Sequence, residues 1–521
     1  MQKQIFAIVG IAAAFAFAAT SVSAGQTRTN ADTLRIGFLG SLSGAGSSLG
    51  QPNQLGALAA IKRINDAGGV SGRLLELVSR DTKGDPTLAI DVARELSSDS
   101  SILAIFGPDF SSNVRAALPV LNAAKIASYW STPVLTPVAG RDSFEFAGFN
   151  AQEDTYRIGL SWAAQRKGIK KIGILAANDT TGEAGLGSLR KVAPDYGIEI
   201  VAVERFDLTA VDVTPQIQKI VSASAQLMAT VVTGSAFGVV LRGVNQLGLR
   251  YKLPIFGSTG TCTLALKDIV KGVEPGLYVC PTQKAPLWQS LPANDPQLPE
   301  LTKLAAAIGG DKISINSALG WDVMHLYAQA MTLAAKGGSI TRQSIRDALA
   351  SGTIKFNGAD NNYRLTEADH RGIAYSDLAL VQSTKEGTVL KAIATGEFRL
   401  VSTPFLGPAG SAPLGSFVAS LARTGGFTEA QGGDLKWTLT FKGLTGSALT
   451  AELRVGTAAG AAGPVLVPLC KPCKDGQSGT TKIPGKAVLQ LLSGGRSQVY
   501  VAINTQTAPT GALRGQIVLA K

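Results

Sequence analysis

The chain has 521 residues, of which 45% are hydrophobic and 17% charged, and its formal net charge is +12. This composition is that of a globular protein, and the length exceeds that of one ordinary domain, which excludes disordered, collagen-like and single-domain chains. The chain has only two histidines, His325 and His370. They are too few for a multi-histidine metal site, and neither has the surroundings of a catalytic base. Composition therefore favours a binding protein over a hydrolase.

Residues 1–24 have the pattern of a secretory signal peptide. Lys3 supplies the short positive region, residues 5–19 form an apolar run, and Val22 and Ala24 stand before the expected cut. The run is shorter than the roughly 20 residues that a membrane-spanning helix needs. We expect an exported mature chain that starts near Gly25 and does not span a membrane.

From residue 33 to about 381, short apolar runs alternate with amphipathic helical patterns. Strands are predicted at 34–39, 74–78, 102–106, 171–176, 198–203, 228–232 and 254–256. Helices are predicted at 55–64, 87–96, 185–193, 214–222 and 239–248. This order implies parallel sheets covered by helices, and the segment is long enough for two doubly wound lobes.

The pattern changes after residue 390. Trp437, Leu439 and Phe441 alternate with polar residues, and the same period of two returns at 450–455 and 498–504. Such runs predict an all-β antiparallel, sandwich-like domain over 395–521. Most of the excess Lys and Arg lies here, but it is scattered between strand patterns, which argues against nucleic-acid binding.

The four cysteines fit an oxidising compartment and fall into two pairs by position, Cys262 with Cys280 and Cys470 with Cys473. The second pair has the C-x-x-C spacing of redox motifs and zinc sites. A zinc site needs two more ligands, and a redox motif needs a strand entering a helix, whereas prolines and glycines surround this one. A small structural disulfide in a loop is the favoured interpretation.

The α/β part resembles a known family. The segments that carry the likeness are IGFLGSLSGAGSSLGQ (36–51), AAIKRINDAGGVSGRLLELVSRDTKGDP (59–86), ILAIFGPDFSSNVRAALPV (102–120), KKIGILAANDTTGE (170–183) and ALGWDVMHLYAQAM (318–331). Over about 33–385 the chain resembles the type I periplasmic leucine/isoleucine/valine-binding proteins of branched-chain amino acid ABC transporters.

This resemblance implies a domain over 33–386 with two Rossmann-like lobes that close by a hinge on a small-molecule ligand. The first lobe is expected at 33–141 and 284–353, and the second at 142–283 and 354–386. The resemblance also implies a periplasmic location and an ABC permease as partner, with no cofactor, metal or catalytic residue.

The same resemblance suggests ligand contacts. Hydroxyls at Ser111 and Thr132 are expected to hold a carboxylate, with Ser112 and Ser131 beside them. Ser111 opens a helix after a strand, where unpaired backbone amides favour an anion. The alternative for Ser111 or Ser112 is a helix N-cap.

The opposite side of the expected site departs from the family. Thr181 stands where the family usually has Tyr, and Thr259 stands where it has the acid that pairs with the ligand ammonium. A buried ammonium without a counter-charge is costly. The ligand is therefore expected to be an amino acid, an amide or a small carboxylate, with the last two favoured. Asp179 or Glu183 could restore the charge for an amino acid.

The tail resembles a second family, the CHRD domain, through LKWTLTFKGLTG (435–446), LTAELRVGTAAGAAGPVLVPLC (449–470) and VYVAINTQTAPTGALRGQI (499–517). Many members carry histidines where this chain has Glu452, Arg454 and Asn504, so a metal role is not expected. The domain is either a partner-binding surface or a structural appendage. The alternative to transport is a periplasmic ligand sensor or envelope interaction protein that uses this domain as its contact surface.

Overall fold

A computed structural model describes the chain from residue 33 onwards. The described residues are 33–133, 135–234, 236–262, 275–373, 377–383, 390–395, 398–405, 414–422, 433–444, 446–456, 458, 462–492, 499–509 and 511–519. The expected signal peptide, 1–24, lies outside them. None of the helices within these ranges is long and apolar enough to cross a membrane.

The first lobe is built on a parallel five-stranded sheet with the order β2-β1-β3-β4-β5. Its central strands are largely buried, with Ile36, Phe38 and Phe106 inaccessible to solvent, as expected for a parallel sheet that helices cover on both faces. The strands are β1 (Thr33–Gly40), β2 (Leu74–Asp81), β3 (Ile102–Phe106), β4 (Ser128–Trp130) and β5 (Glu145–Ala147). The helices between them are α1 (Ser47–Asp66), α2 (Pro86–Ser98) and α3 (Ser111–Ala123).

The second lobe has a seven-stranded sheet with the order β14-β13-β10-β9-β8-β6-β7. Its parallel part comprises β6 (Lys171–Ala177), β7 (Glu199–Phe206), β8 (Leu227–Val231), β9 (Ile255–Phe256) and β10 (Tyr278–Gln283). Two antiparallel strands, β13 (Leu378–Ser383) and β14 (Leu390–Thr395), complete one edge. Within the described residues, the α-helices of this lobe are α4 (Gln152–Arg166), α5 (Thr180–Val192), α6 (Thr214–Ser222) and α7 (Ala236–Gln246).

Between β10 and β13 the chain returns to the first lobe. It adds α8 (Leu298–Ile308), α9 (Ile315–Lys336), α10 (Arg342–Ala350) and a hairpin of β11 (Phe356–Asn357) and β12 (Asn362–Tyr363). Helix α9 packs closely on α1, since a Cβ at Gly56 would lie 1.8 Å from the Ser317 carbonyl oxygen. Buried Asp322 accepts the backbone N–H groups of Ala359 and Asp360 and so fixes the hairpin turn to α9.

Two lobe boundaries differ from the expected ones. The first lobe does not end at 141, because β5 pairs with β4 in its sheet and the first crossing follows at 148–151. It also does not end at 353, because Tyr363 and Ile373 are buried in the same core as α9. The first lobe therefore extends at least to Ile373. Strands of two or three residues are too short to show a period in the sequence, which is why both boundaries were misplaced.

The C-terminal region is antiparallel, as predicted. Its sheet order is β19-β18-β21-β22-β15-β16-β17-β20. The strands are β15 (Phe398–Ser402), β16 (Gly415–Ala422), β17 (Gly433–Phe441), β18 (Thr450–Val455), β19 (Val465–Cys470), β20 (Gln477–Ile483), β21 (Val499–Asn504) and β22 (Leu513–Leu519), with one helix, α11 (Gly485–Leu492). In β17 the predicted alternation holds, since Trp437, Leu439 and Phe441 are buried and the polar residues that alternate with them are exposed. The two end strands of the order are consecutive in the chain, so the sheet curls back on itself.

Both expected disulfides are present. Cys262 is joined to Cys280, and Cys470 to Cys473. The first ties the segment that follows β9 to β10, inside the second lobe. The second lies in the turn between β19 and β20, in agreement with a structural role in a loop.

Candidate ligand-binding cleft

A cavity of about 570 Å³, including its open mouth, lies between the two lobes. Both lobes contribute to its walls, as expected where strands of two parallel sheets end at a shared crevice. From the first lobe it is lined by Leu49, Asp109, Phe110, Ser111, Ser131, Thr132, Pro133, Ile315 and Asn316. From the second it is lined by Gln152, Thr155, Tyr156, Thr181, Thr233, Ser258, Thr259 and Gly260, and Phe149 of the first crossing completes the lining.

The wall that the first lobe contributes, here called the first wall, begins with a sharp turn after β3. Gly107 has φ +108°, and a Cβ there would lie 2.1 Å from the Leu39 carbonyl oxygen. Only glycine combines this positive φ with so close an approach of two backbones. The turn leads directly into α3, so the amino end of that helix faces the cavity through Ser111.

Ser111 and Thr132 form the polar centre of this wall. Their hydroxyl oxygens are 3.0 Å apart. The N-cap of α3 is Phe110, which makes no side-chain capping bond, so the Ser111 hydroxyl does not serve as the cap. The first bond of the helix is donated by the Val114 amide. The amides that precede it point out of the helix end and, with the helix dipole, favour an anion such as a carboxylate.

A buried hydrogen-bond network supports the first wall. Asp109 accepts bonds from both the amide and the hydroxyl of Ser41, at 2.7 and 2.8 Å. The Asn53 side-chain amide donates to the Ser131 hydroxyl at 2.9 Å. Burial raises the pKa of Asp109 to about 6, against the opposing effect of its bonds to Ser41. The network joins the loops after β1, β3 and β4 and so holds the wall in one arrangement.

The wall that the second lobe contributes, here called the second wall, includes a short segment after β9. The Ser258 hydroxyl donates to the Val232 carbonyl at 2.8 Å, and the Tyr278 hydroxyl donates to Thr261 at 2.7 Å. The disulfide from Cys262 to β10 closes the segment. Thr259 is therefore presented to the cavity from a backbone that is fixed on both sides.

Several polar atoms of the cavity wall have no hydrogen-bond partner within the described ranges. They are Gln152 Oε1, Thr259 Oγ1 and Asn316 Nδ2. The three residues are 6%, 4% and 1% exposed, so bulk water does not compensate for the missing bonds. An unsatisfied buried polar group costs about 1–3 kcal/mol. Their position in the cavity wall suits contacts to a bound molecule.

The structure brings five of the six expected ligand contacts to this cavity, namely Ser111, Ser131, Thr132, Thr181 and Thr259. Ser112 does not line it. Its side chain is half-buried, and its hydroxyl oxygen lies 3.5 Å from Asn113 Oδ1. One step along a helix turns the side chain by about 100° relative to Ser111, and Ser112 therefore points away from the cavity.

Other lining residues were not predicted from the sequence, among them Gln152, Tyr156 and Asn316. Gln152 and Tyr156 lie on α4 directly after the first crossing, which was misplaced. Asn316 lies in the first turn of α9, about 200 residues from Ser111 in the chain. The capping box of Ser314 and Ser317 marks the start of α9 and is the signal that could have drawn attention to this turn.

In the β domain, the three residues at the expected histidine positions lie together. Arg454 pairs with Glu452 at 2.7 Å, and Asn504 donates to the same carboxylate oxygen at 3.2 Å. Strands β18 and β21, which carry them, are paired in the sheet. The side chains thus form a bonded cluster whose carboxylate is already paired with a guanidinium.

Comparisons with known proteins agree with this geometry. The profile described as "Periplasmic binding protein" matches residues 33–388, and the CHRD domain profile matches 402–517. A leucine-, isoleucine-, valine-, threonine- and alanine-binding protein of Pseudomonas aeruginosa is 26% identical over 360 residues, which cover 68% of this chain and 89% of that protein.

Solved structures share the fold of the receptor part. A branched-chain amino acid transporter substrate-binding protein from Streptococcus pneumoniae, in complex with isoleucine, has a TM-score of 0.56 at 20% identity and covers 69% of this chain and 98% of its own. An ABC transporter solute-binding protein from Rhodopseudomonas palustris, in complex with 4-hydroxybenzoate, has a TM-score of 0.58 at 19% identity and covers 70% and 96%.

Proposed function

Because the chain belongs to the periplasmic binding protein family, we propose that it is an exported receptor that captures a small organic solute between its lobes and delivers it to an ABC permease. The observation that carries this proposal is the cavity itself. The hydroxyls of Ser111 and Thr132 at a helix amino end face unpartnered polar atoms on the other lobe. The expected solutes are amino acids, amides and small carboxylates.

Capture needs no covalent chemistry. A carboxylate docks first on Ser111, Thr132 and the amides of α3, which are already in place. Hinge closure then brings Thr259 and Gln152 onto the solute and gives their unpartnered atoms hydrogen bonds. Closure is favoured only when these bonds form, so the closed shape reports occupancy to the permease.

Proteins of this fold hold chemically different solutes. The Streptococcus pneumoniae protein is in complex with isoleucine, and the Rhodopseudomonas palustris protein is in complex with 4-hydroxybenzoate. The Pseudomonas aeruginosa relative is named for five amino acids. The fold therefore supports solute capture in general, and the side chains of this cavity must select the solute.

The proposal is tested with the mature chain and a panel of amino acids, amides and small carboxylates. A solute that binds only the folded state stabilises it by about 2.7 kcal/mol at a hundredfold excess over Kd. We expect a rise in Tm and a smaller radius of gyration by X-ray scattering with one class of compound. Stimulation of the reconstituted permease by the loaded receptor tests delivery. A panel without any response would contradict the proposal.

A second function is supported by the CHRD domain, which lies beyond the part that matches the family of solute receptors. In that case ligand binding would regulate a contact of the β domain with another envelope component. Solute-dependent retention of the full mature chain on isolated envelopes, without any effect on permease activity, would favour this function over transport.

A further inference from the structure

The lining of the cavity carries almost no charge. Its described part contains neither Lys, Arg nor His, and Asp109 is its one carboxylate. Both oxygens of Asp109 accept bonds from Ser41, and a Cβ at Gly50 would lie 2.5 Å from Oδ2. The carboxylate is 1% exposed and covered by these two residues, so it offers no ion pair to a solute in the cleft.

The two acids that could have supplied a counter-charge on the second lobe are engaged elsewhere. Asp179 caps α5 by accepting the Gly182 amide at 2.7 Å. Glu183 forms an ion pair with Arg205 at 2.6 Å. Neither lines the cavity. An ammonium group bound against the second wall would therefore lose its hydration without gaining a counter-charge.

The second wall instead offers neutral hydrogen-bonding groups. Thr259 Oγ1 and Gln152 Oε1 are buried there without a partner, and a hydroxyl and an amide oxygen match a neutral donor. A solute hydroxyl can both donate to Gln152 and accept from Thr259. The wall thus has the chemistry of a site for an uncharged polar end group.

The apolar part of the cavity lining is largely aromatic. Phe110, Phe149 and Tyr156 line it. The Phe149 carbonyl accepts a bond from Arg371, whose second amino group donates to the Leu135 carbonyl at 2.7 Å. The Tyr156 ring packs edge-on against Phe256, with 6.1 Å between centroids. Aromatic side chains in the wall suit a flat hydrophobic body, such as a ring.

We infer that the solute is a monocarboxylate with an apolar, ring-sized body and an uncharged polar end group, and without an α-ammonium group. The carboxylate binds at Ser111 and Thr132, the body lies between the aromatic side chains, and the end group meets Thr259 and Gln152. This inference rests on the proposed function, because it assigns the solute of the same cleft.

Matched compounds that differ by one group test it. Calorimetric titration of the full mature chain compares 3-(4-hydroxyphenyl)propanoate with tyrosine, which adds the ammonium, and with tyramine, which also lacks the carboxylate. We expect the deaminated acid to bind at least about tenfold more tightly than either. A second pair, 4-methylpentanoate and leucine, should show the same order with weaker binding of both.

Each outcome has a distinct meaning. Tyrosine or leucine binding as tightly as its deaminated partner would overturn the inference and leave the receptor function supported. Tighter binding of tyramine would overturn the carboxylate assignment. Absence of binding by every compound at millimolar concentration, together with no response in the wider panel, would count against both the inference and the receptor function.

A charge placed at one position provides an independent test. Thr259→Asp adds a carboxylate to the second wall, and Thr259→Asn, which has nearly the same shape, adds none. We expect the Asp variant to raise the affinity for 3-[4-(aminomethyl)phenyl]propanoate, which carries an ammonium at the end-group position, relative to 3-(4-hydroxyphenyl)propanoate by about tenfold or more, and the Asn variant to leave the ratio within about twofold. Equal ratios in the two variants would show that an ammonium does not approach this wall.

Discussion

The two walls of the cleft differ in how far their polar groups are satisfied without a solute. On the first lobe, Ser111 bonds with Thr132, and Asp109 accepts two bonds from Ser41. Asn316 Nδ2 is the exception there. On the second lobe, Thr259 Oγ1 and Gln152 Oε1 have no partner. The first wall is organised in advance and should set affinity for carboxylates in general, whereas the second should set selectivity.

The largest expected effect concerns the disulfide behind the second wall. Replacing Cys262 and Cys280 by alanine opens a loop of sequence separation 18 and should cost about 3 kcal/mol of unfolding free energy. The same change at Cys470 and Cys473, with separation 3, should cost about 2 kcal/mol. Urea denaturation measures both. Solute selectivity should change only when Cys262 and Cys280 are replaced. Unchanged selectivity in that variant would show that the Cys262–Cys280 disulfide does not hold Thr259 in place.

Removing the hydroxyl pair tests the first wall. Ser111→Ala combined with Thr132→Val should weaken the binding of every carboxylate by at least about 100-fold, since hydrogen bonds to a charged group contribute about 1.5–3 kcal/mol each. Calorimetric titration with the carboxylates of the panel measures this loss. Ser112→Ala is the matched control, because Ser112 is the next residue on α3 and does not line the cavity. A loss confined to one carboxylate would contradict a general role for this wall.

The pH dependence of stability reports on Asp109. Its folded pKa of about 6 lies above the ordinary 3.8, because burial outweighs its bonds to Ser41 and nearby Asp81 adds repulsion. The native state therefore binds this proton more tightly than the unfolded state. The resulting stabilisation is fully present below pH 3.8 and is lost as pH rises through 6.

The stability of the wild type relative to Asp109→Asn should fall by about 2–3 kcal/mol between pH 4 and pH 7. Urea denaturation at both pH values measures it. Asp322 and Asp377, whose pKa values burial also raises, titrate in both proteins and cancel in the difference. A difference that does not vary with pH would show that the Asp109 carboxyl is not desolvated.

The smallest expected effect is at Thr259. Thr259→Val keeps the shape of the side chain and removes one neutral hydrogen bond, a change of about 1 kcal/mol. Binding of 3-(4-hydroxyphenyl)propanoate should weaken by about fivefold, and binding of 3-phenylpropanoate, which lacks the hydroxyl, should stay within about twofold. Titration of both acids measures the ratio. Equal losses would place the end group elsewhere in the cleft.

Much of the fold could be predicted from the spacing of hydrophobic residues along the sequence. The strand expected at 102–106 and the helix expected at 214–222 have the same bounds in the structure. Short pieces escaped, because β5 has three residues and β11 and β12 have two each. Such strands are defined by their partners in the sheet and not by a local pattern.

The site was predictable where a motif carried it. Ser111 lies in a segment that resembles the family, Thr132 matches a family position within the resembling region, and the structure places both in the cavity wall. Gln152 and Asn316 belong to no such motif and reach the cavity only through the packing of α4 and α9. The unpartnered state of their polar atoms depends on three-dimensional contacts, which a sequence without an alignment does not encode.

The curl of the β domain has a consequence for the behaviour of the protein at high concentration. Strands β19 and β20, at the two ends of the sheet order, face each other across the turn held by Cys470 and Cys473. Open sheet edges recruit strands of other molecules and start aggregation. Because the two terminal strands contact each other, a strand of another copy has less free edge to pair with along either of them.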